Sequence, residues 1–156
     1  MIFFILRHGK AEDSRVNLKD FDRHLSQKGV KQAHKMGQFL ADKGIEQIIS
    51  SSAQRTKDTT NIVNEYLKVN DITFLEELYL ADLSTIKEKI SNLAHKEKVL
   101  YVGHNFGISD LVSDLSGQNI SLTTCELAYF SMEFDDWNYL SSETGSLIEI
   151  ISPKQL

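Results

Sequence analysis

Apolar residues along this chain come in two kinds of block. The first, "IFFIL" from Ile2 to Leu6, has no polar interruption and predicts a strand buried on both faces. From Leu25 the period changes. Val30, Ala33, Met36/Gly37 and Leu40 recur at helical spacing, with Ser26 as candidate N-cap and Gly44 as candidate stop. "IEQIIS" predicts a second strand, and "SSAQRTKDTTNIVNEYL" a helix opened by serine caps. "ITFL" predicts a third strand. "DLSTIKEKISNLAHKE" predicts a helix with Leu83, Ile86, Ile90 and Leu93 on one face. "KVLYVG" predicts a fourth strand, and "GISDLVSDLSG" a short helix. "LAYFSMEF" and "SLIEII" predict two last strands, joined across "DDWNYLSSETG". Alternating strands and helices argue for an α/β fold of three layers, with helices on both faces of a mainly parallel sheet. Such sheets open their sites at the carboxyl ends of the strands.

Composition narrows the class. The chain has 156 residues and one proline, Pro153, with no repeat or low-complexity linker, so a single domain over 1–156 is expected. A net charge of -5 argues against nucleic acid as the main partner, so any bound anion must be held by a few placed cations. No stretch approaches the ~20 apolar residues of a membrane helix. The opening run is too short for a signal-peptide core and has no basic residue before it. The one cysteine, Cys125, cannot form an internal disulfide and suits a reducing compartment. These features read as a cytoplasmic protein without a membrane partner.

Applied to the strand ends, the crevice rule collects chemistry. The first strand runs into Arg7, His8 and Gly9. The second leads through "SSSAQRT" to Arg55 in the first turn of a helix. The fourth ends in "VGHNFG", with His104 at its tip. Arginine offers a planar fork of donors that matches a tetrahedral oxyanion. The helix starts after Ser51/Ser52 and Asn105 add main-chain N–H groups and positive dipole ends. Gly9 permits close backbone approach to a ligand. Together these describe a phosphate-shaped pocket, in which a histidine is either one more donor or a nucleophile. Taken singly, Arg55 also reads as a solvated helix arginine and His104 as a structural histidine. His24, His34 and His95 read as surface residues. Cys125 lacks a C-x5-R loop and reads as an inert buried thiol. No Walker-type loop is present. A zinc site at His8 and His104 lacks a third ligand and would set two arginines beside a cation.

The segments "ILRHGKAE", "DRHLSQKGVKQA", "SSSAQRTKDTT", "LEEL", "VLYVGHNFGISDLV" and "TTCELA" resemble the histidine phosphatase superfamily, also called phosphoglycerate mutase-like, and within it the short SixA-type phosphohistidine phosphatases. The resemblance implies a mixed six-stranded sheet in which the first and fourth strands are neighbours and one late strand runs antiparallel. It also implies a two-step reaction without metal or cofactor. His8 attacks phosphorus, and Arg7, Arg55 and His104 hold the phosphoryl oxygens. Arg23 matches an arginine of the small subgroup and reads either as a further phosphate contact or as a salt-bridge partner of Asp20 or Asp22. Glu77, with Glu76 beside it, matches the acid that protonates alcohol leaving groups, or is a solvated carboxylate. Glu77 to His104 leaves room for one helix and one strand and no lid, which suits a phosphate carried on another protein. Protein phosphohistidine is therefore the expected substrate. A small phosphate ester is the alternative, and a phosphate-binding module without turnover is a third reading.

Overall fold

In the computed structural model, which describes residues 1–156, the opening apolar run forms strand β1, Ile2–Arg7. Phe3 and Ile5 point into one core, and Phe4 and Leu6 into another on the opposite face of the sheet. Both sides of the pleat are dry, so the strand has no polar alternation.

The other elements follow the predicted order. They are α1 (Gln27–Leu40), β2 (Gln47–Ser51), α2 (Gln54–Leu67), β3 (Ile72–Leu75), α3 (Leu83–Leu93), β4 (Lys98–Gly103), α4 (Gly107–Ser116), β5 (Leu127–Met132) and β6 (Gly145–Ile151). The six strands form one sheet in the order β3-β2-β4-β1-β5-β6. β1, β2, β3 and β4 pair in parallel, and β5 runs antiparallel to both its neighbours. Met36 and Leu40 of α1 and Val63 of α2 pack on Phe4, Leu6, Ile48, Leu100 and Val102. Ile86 and Ile90 of α3, with Ile108, Leu111 and Leu115 of α4, pack on Phe3, Ile5, Ile49, Val99 and Tyr101 across the sheet. The architecture is thus the expected three layers. No helix is long and apolar enough to cross a membrane.

The helix ends show where local rules held. Ser26 caps α1, its Oγ accepting the Gly29 N–H at 3.1 Å, and Asp82 caps α3 through the Thr85 N–H at 2.9 Å. α2 differs from expectation. Its N-cap is Ala53, without a side-chain cap on the helix, because Ser50 and Ser51 belong to buried β2. Instead Thr56 Oγ1 reaches back to the carbonyls of Ser51 and Ala53, both at 2.8 Å. α1 stops at Leu40, before Gly44, and Gly44 takes a left-handed φ of 74° in the turn that follows.

Candidate active site

Parallel pairing of β1 with β4 sets Arg7 opposite Gly103, so the residues just beyond each strand, His8 and His104, come out side by side. Their ring centroids are 5.2 Å apart. The His8 N–H donates to the Gly103 carbonyl at 3.1 Å, and the His8 carbonyl accepts from the Cys125 N–H at 2.9 Å. β2 also pairs with β4, which brings Ser51 Oγ to 2.8 Å from His104 Nε2. Arg55 stands in the first turn of α2, and the threonines around it anchor that helix. Thr59 Oγ1 accepts from the Gly9 N–H at 3.1 Å, and Thr60 Oγ1 donates to Ser50 Oγ at 3.0 Å. The segment S-x-x-x-R-T-x-x-T therefore combines one cavity-lining arginine with hydroxyls that tie α2 to β2 and to the residues just past β1.

These strand ends open onto a cavity of about 250 Å³ lined by Arg7, His8, Lys10, Ala11, Arg23, Arg55, Leu80, His104, Asn105 and Thr124. Four of those side chains are cationic and none is a carboxylate. His8, Arg55 and His104 are buried, at 7%, 3% and 2% exposure. Three nitrogens here, Arg7 Nε, Arg55 Nε and His104 Nδ1, are buried without a protein partner. Such donors are costly to leave unpaired, and an anion can satisfy them. Arg7 Nη1 donates to the Leu122 carbonyl at 2.9 Å, which fixes its guanidinium.

Burial and the nearby arginines act on both histidines. Burial above all brings His8 down to about 4; the bond to the Gly9 carbonyl opposes it, and the charges of Arg55, Arg7 and Arg23 add smaller downward pulls. Burial, then His8 and Arg55, bring His104 down to about 2. Both rings are neutral at pH 7. His8 Nδ1 lies 2.7 Å from the Gly9 carbonyl oxygen. A carbonyl only accepts, so Nδ1 carries the proton and Nε2 keeps its lone pair. Burial and Arg55 also pull the Arg7 guanidinium below its ordinary value.

The cavity's wall is organised by a residue that the sequence reading met only as a possible partner of Arg23. Asp20, in the 3-10 turn Asp20–Asp22, accepts from Arg23 Nε at 3.0 Å and Nη2 at 2.7 Å on Oδ1. Its Oδ2 accepts from Arg55 Nη2 at 3.0 Å and from the Tyr79 hydroxyl, while its carbonyl accepts from Arg55 Nη1 at 2.8 Å. Partial burial pushes the Asp20 carboxyl up, but bonds from Tyr79 and Arg23 and the charge of Arg55 outweigh it. The group stays well below the usual carboxylate range. The Tyr79 ring also packs edge-on to His104, with centroids 5.6 Å apart.

Arg23 lines the cavity and is at the same time ion-paired with Asp20, one of its two expected salt-bridge partners. Gly9 does not line the cavity. A Cβ there would meet the Gly29 carbonyl oxygen at 2.8 Å, so the close approach that demands glycine is to α1 and not to a ligand. Glu77 sits in the 3-10 turn Glu76–Leu78, exposed and outside the cavity lining. The same segment supplies Leu80 to the lining, and Tyr79 behind it to Asp20 and His104. His24 and His95 are exposed and lie 2.9 Å and 3.0 Å from carboxylates of Asp58 and Asp71. His34 is half-buried against Tyr66, whose hydroxyl is 2.8 Å from its Nδ1. Cys125 is fully buried, and burial pushes its thiol up to about 12, which leaves it unreactive.

Comparisons with known proteins give the family and the fold. Residues 3–88 match the family model of the histidine phosphatase superfamily (branch 1). An uncharacterised chloroplastic protein of Arabidopsis thaliana is 30% identical over 155 residues, covering 90% of this chain and 71% of its own. The fold superposes on the protein assigned as phosphohistidine phosphatase SixA in Agrobacterium tumefaciens with a TM-score of 0.85, at 25% identity and 97% coverage of each chain. A protein histidine phosphatase SixA bound to tungstate superposes with a TM-score of 0.82, at 23% identity and 99% coverage of each chain. A mycobacterial glucosyl-3-phosphoglycerate phosphatase shares the fold with a TM-score of 0.71, at 17% identity, over 94% of this chain and 96% of its own.

Proposed function

The chain belongs to the histidine phosphatase superfamily, and on that premise we propose that it dephosphorylates phosphohistidine on another protein, by way of a phosphohistidine formed on its own His8. The observation that carries the reading is the state of His8: neutral, buried among arginines, with Nδ1 tied to the Gly9 carbonyl and Nε2 left as a nucleophile. Nε2 attacks phosphorus. The P–N bond to the substrate imidazole breaks, and that imidazole leaves with the bond's electron pair and takes a proton from solvent. Water then attacks phospho-His8, releasing phosphate and returning His8 to its neutral form. Arg7 and Arg55 hold the non-bridging oxygens throughout. Ser51 Oγ accepts the Ala53 N–H at 3.3 Å, which frees its hydroxyl proton for His104 Nε2. His104 Nδ1–H is then a donor to the transferring group. Preorganised donors of this kind are each worth ~3–4 kcal/mol at a transition state. The protein's own cations neutralise the phosphate, so the reaction needs no metal.

Two features favour a protein substrate. The cavity, at about 250 Å³, falls below the ~300–1,000 Å³ of sites that enclose small molecules. Between the turn that carries Glu77 and strand β4 lies α3 alone, with no segment to build a lid. Glu77 stands off the cavity, which fits a leaving group that needs no protein acid. An alkoxide would need one; an imidazole does not.

The decisive experiment is trapping. Rapid quench with labelled substrate should leave acid-labile, base-stable phosphate on His8, and His8→Ala should abolish both label and turnover with its circular dichroism unchanged. Undiminished label in His8→Ala would overturn the assignment. Turnover of a phosphohistidine protein, set against a panel of phosphate esters, tests the substrate class.

A further inference from the structure

Helix α1 carries its charge against its own dipole. The first turn of a helix rewards carboxylates, yet α1 has none there, and Lys28 occupies that turn. No acidic residue occurs anywhere between Asp22 and Asp42, in a chain with 22 of them. Lys28, Lys31 and Lys35 fall at helical spacing on one exposed face, and Lys154 joins them from the turn Pro153–Gln155. Lys10, Lys28, Lys31 and Lys154 have no side-chain carboxylate within ion-pair distance, and Lys35 Nζ donates only to the Leu156 main-chain oxygen at 3.3 Å. A protein of net charge -5 thus keeps an unneutralised positive strip at a local energetic cost.

The strip leads into the active site. Lys10 and Thr124 line the catalytic cavity, and Thr124 also lines a neighbouring hollow of about 230 Å³ with Lys28 and Lys154. A further hollow of about 200 Å³ continues over Lys31 and Lys35. Gln32 stitches the junction, accepting the Lys10 N–H at 2.9 Å and donating to Thr124 Oγ1 at 3.3 Å. The only carboxylate along the path, Glu126, is turned to the Thr123 N–H and hydroxyl at 2.8 and 3.3 Å. Lys28 and Lys35 are ~10 Å apart along the helix axis, the span of about three extended residues.

We infer that the lysine face of α1 is a docking surface for an acidic segment flanking the phosphorylated residue of the protein substrate. The inference rests on the phosphoprotein phosphatase reading and names which phosphoproteins the enzyme prefers. Charge complementarity of this kind acts on encounter and orientation, and is screened by salt. Substrate with its phosphate over His8 and carboxylates over Lys28 and Lys31 is held at two points. Small phosphate esters touch the first point alone.

The test uses the full chain and the variant Lys28→Glu/Lys31→Glu/Lys154→Glu, three exposed residues outside the catalytic cavity. Substrates are p-nitrophenyl phosphate and two phosphohistidine peptides, one with a four-glutamate flank and one with a four-glutamine flank. The parent should favour the glutamate peptide at least tenfold in kcat/KM at 50 mM salt, and lose most of that preference at 300 mM. The triple variant should lose the preference, keep its rate on p-nitrophenyl phosphate within twofold, and use the glutamine peptide at least as well as the glutamate peptide. Equal use of both peptides by the parent, or a preference that survives the triple variant, overturns the docking surface while leaving the phosphatase reading intact. A parent that hydrolyses p-nitrophenyl phosphate but neither peptide overturns the phosphohistidine reading and this inference with it. Lysine-dependent sedimentation with anionic phosphatidylserine vesicles, without peptide discrimination, would assign the strip to a membrane surface and also overturn it.

Discussion

His8 and His104, on the floor of the cavity, are placed by backbone: each follows the last residue of a strand, and β1 and β4 pair in parallel at Arg7 and Gly103. The guanidinium groups of Arg55 and Arg23, along the wall, are aimed by Asp20, through its main-chain carbonyl and a carboxylate that is 43% exposed. The floor inherits the stiffness of a sheet buried on both faces. The wall depends on a few side-chain hydrogen bonds at the solvent edge, where each is worth less and can re-form in another geometry. The difference teaches where to look for damage. Floor substitutions should destroy chemistry, and wall substitutions should loosen phosphate binding.

The largest effects after loss of His8 should come from the arginines. Arg7→Ala and Arg55→Ala should each weaken vanadate or phosphate binding by more than tenfold, since a forked, charge-assisted contact is worth roughly 1.5–3 kcal/mol. Isothermal titration would measure this, and unchanged vanadate inhibition in either variant would place that arginine outside the pocket.

Asp20→Ala should weaken vanadate binding by about tenfold through Arg55 and Arg23, with the rate of phospho-His8 formation at saturation changed less than twofold. A double-mutant cycle sharpens the point. In an Arg55→Ala background the loss from Asp20→Ala should shrink, because its main client is gone. Full additivity would mean that Asp20 does not act by positioning Arg55.

Acidity probes the floor. His8 sits at about 4 in the folded protein, below its ordinary value near 6.5. The folded state therefore binds fewer protons than the unfolded chain between those values, so this contribution to stability is complete above pH 6.5 and lost as pH falls towards 4. Denaturant unfolding at pH 7.5 and 5 should show the parent losing more stability than His8→Ala. The acid limb of kcat/KM, corrected for substrate ionisation, should fall near pH 4; a limb near 6.5 would mean that the floor does not keep His8 neutral.

The smallest effect belongs to Glu77. Glu77→Gln should slow phosphohistidine hydrolysis by less than tenfold, under ~1.4 kcal/mol, since the side chain stands off the cavity. Hydrolysis of an alkyl phosphate should suffer more if Glu77 serves as its acid, by the ~10²–10⁴-fold of a lost proton donor. Equal crippling of both substrates would break the leaving-group account.

Apolar runs and helical spacing along the chain were enough to place the six strands and four α-helices, because burial on one face imposes a period of 3.6 on a helix and burial on both faces removes alternation from a strand. It was also enough to single out Arg7, His8, Arg55 and His104, since residues just past parallel strands share one crevice whatever the loops do. Tertiary structure decided the rest. Asp20 reads only as a possible salt-bridge partner of Arg23 until the turn that carries it meets Arg55 and Tyr79, 35 and 59 positions further along. Gly9 reads as a ligand loop until α1 is seen packed against it. Glu77 and Tyr79 are two residues apart, yet only the turn geometry sends Tyr79 to His104 and Glu77 to solvent. Local sequence determines which way a segment's own side chains alternate. Which distant segments those side chains meet depends on strand order and loop path, and no single stretch of sequence contains that information.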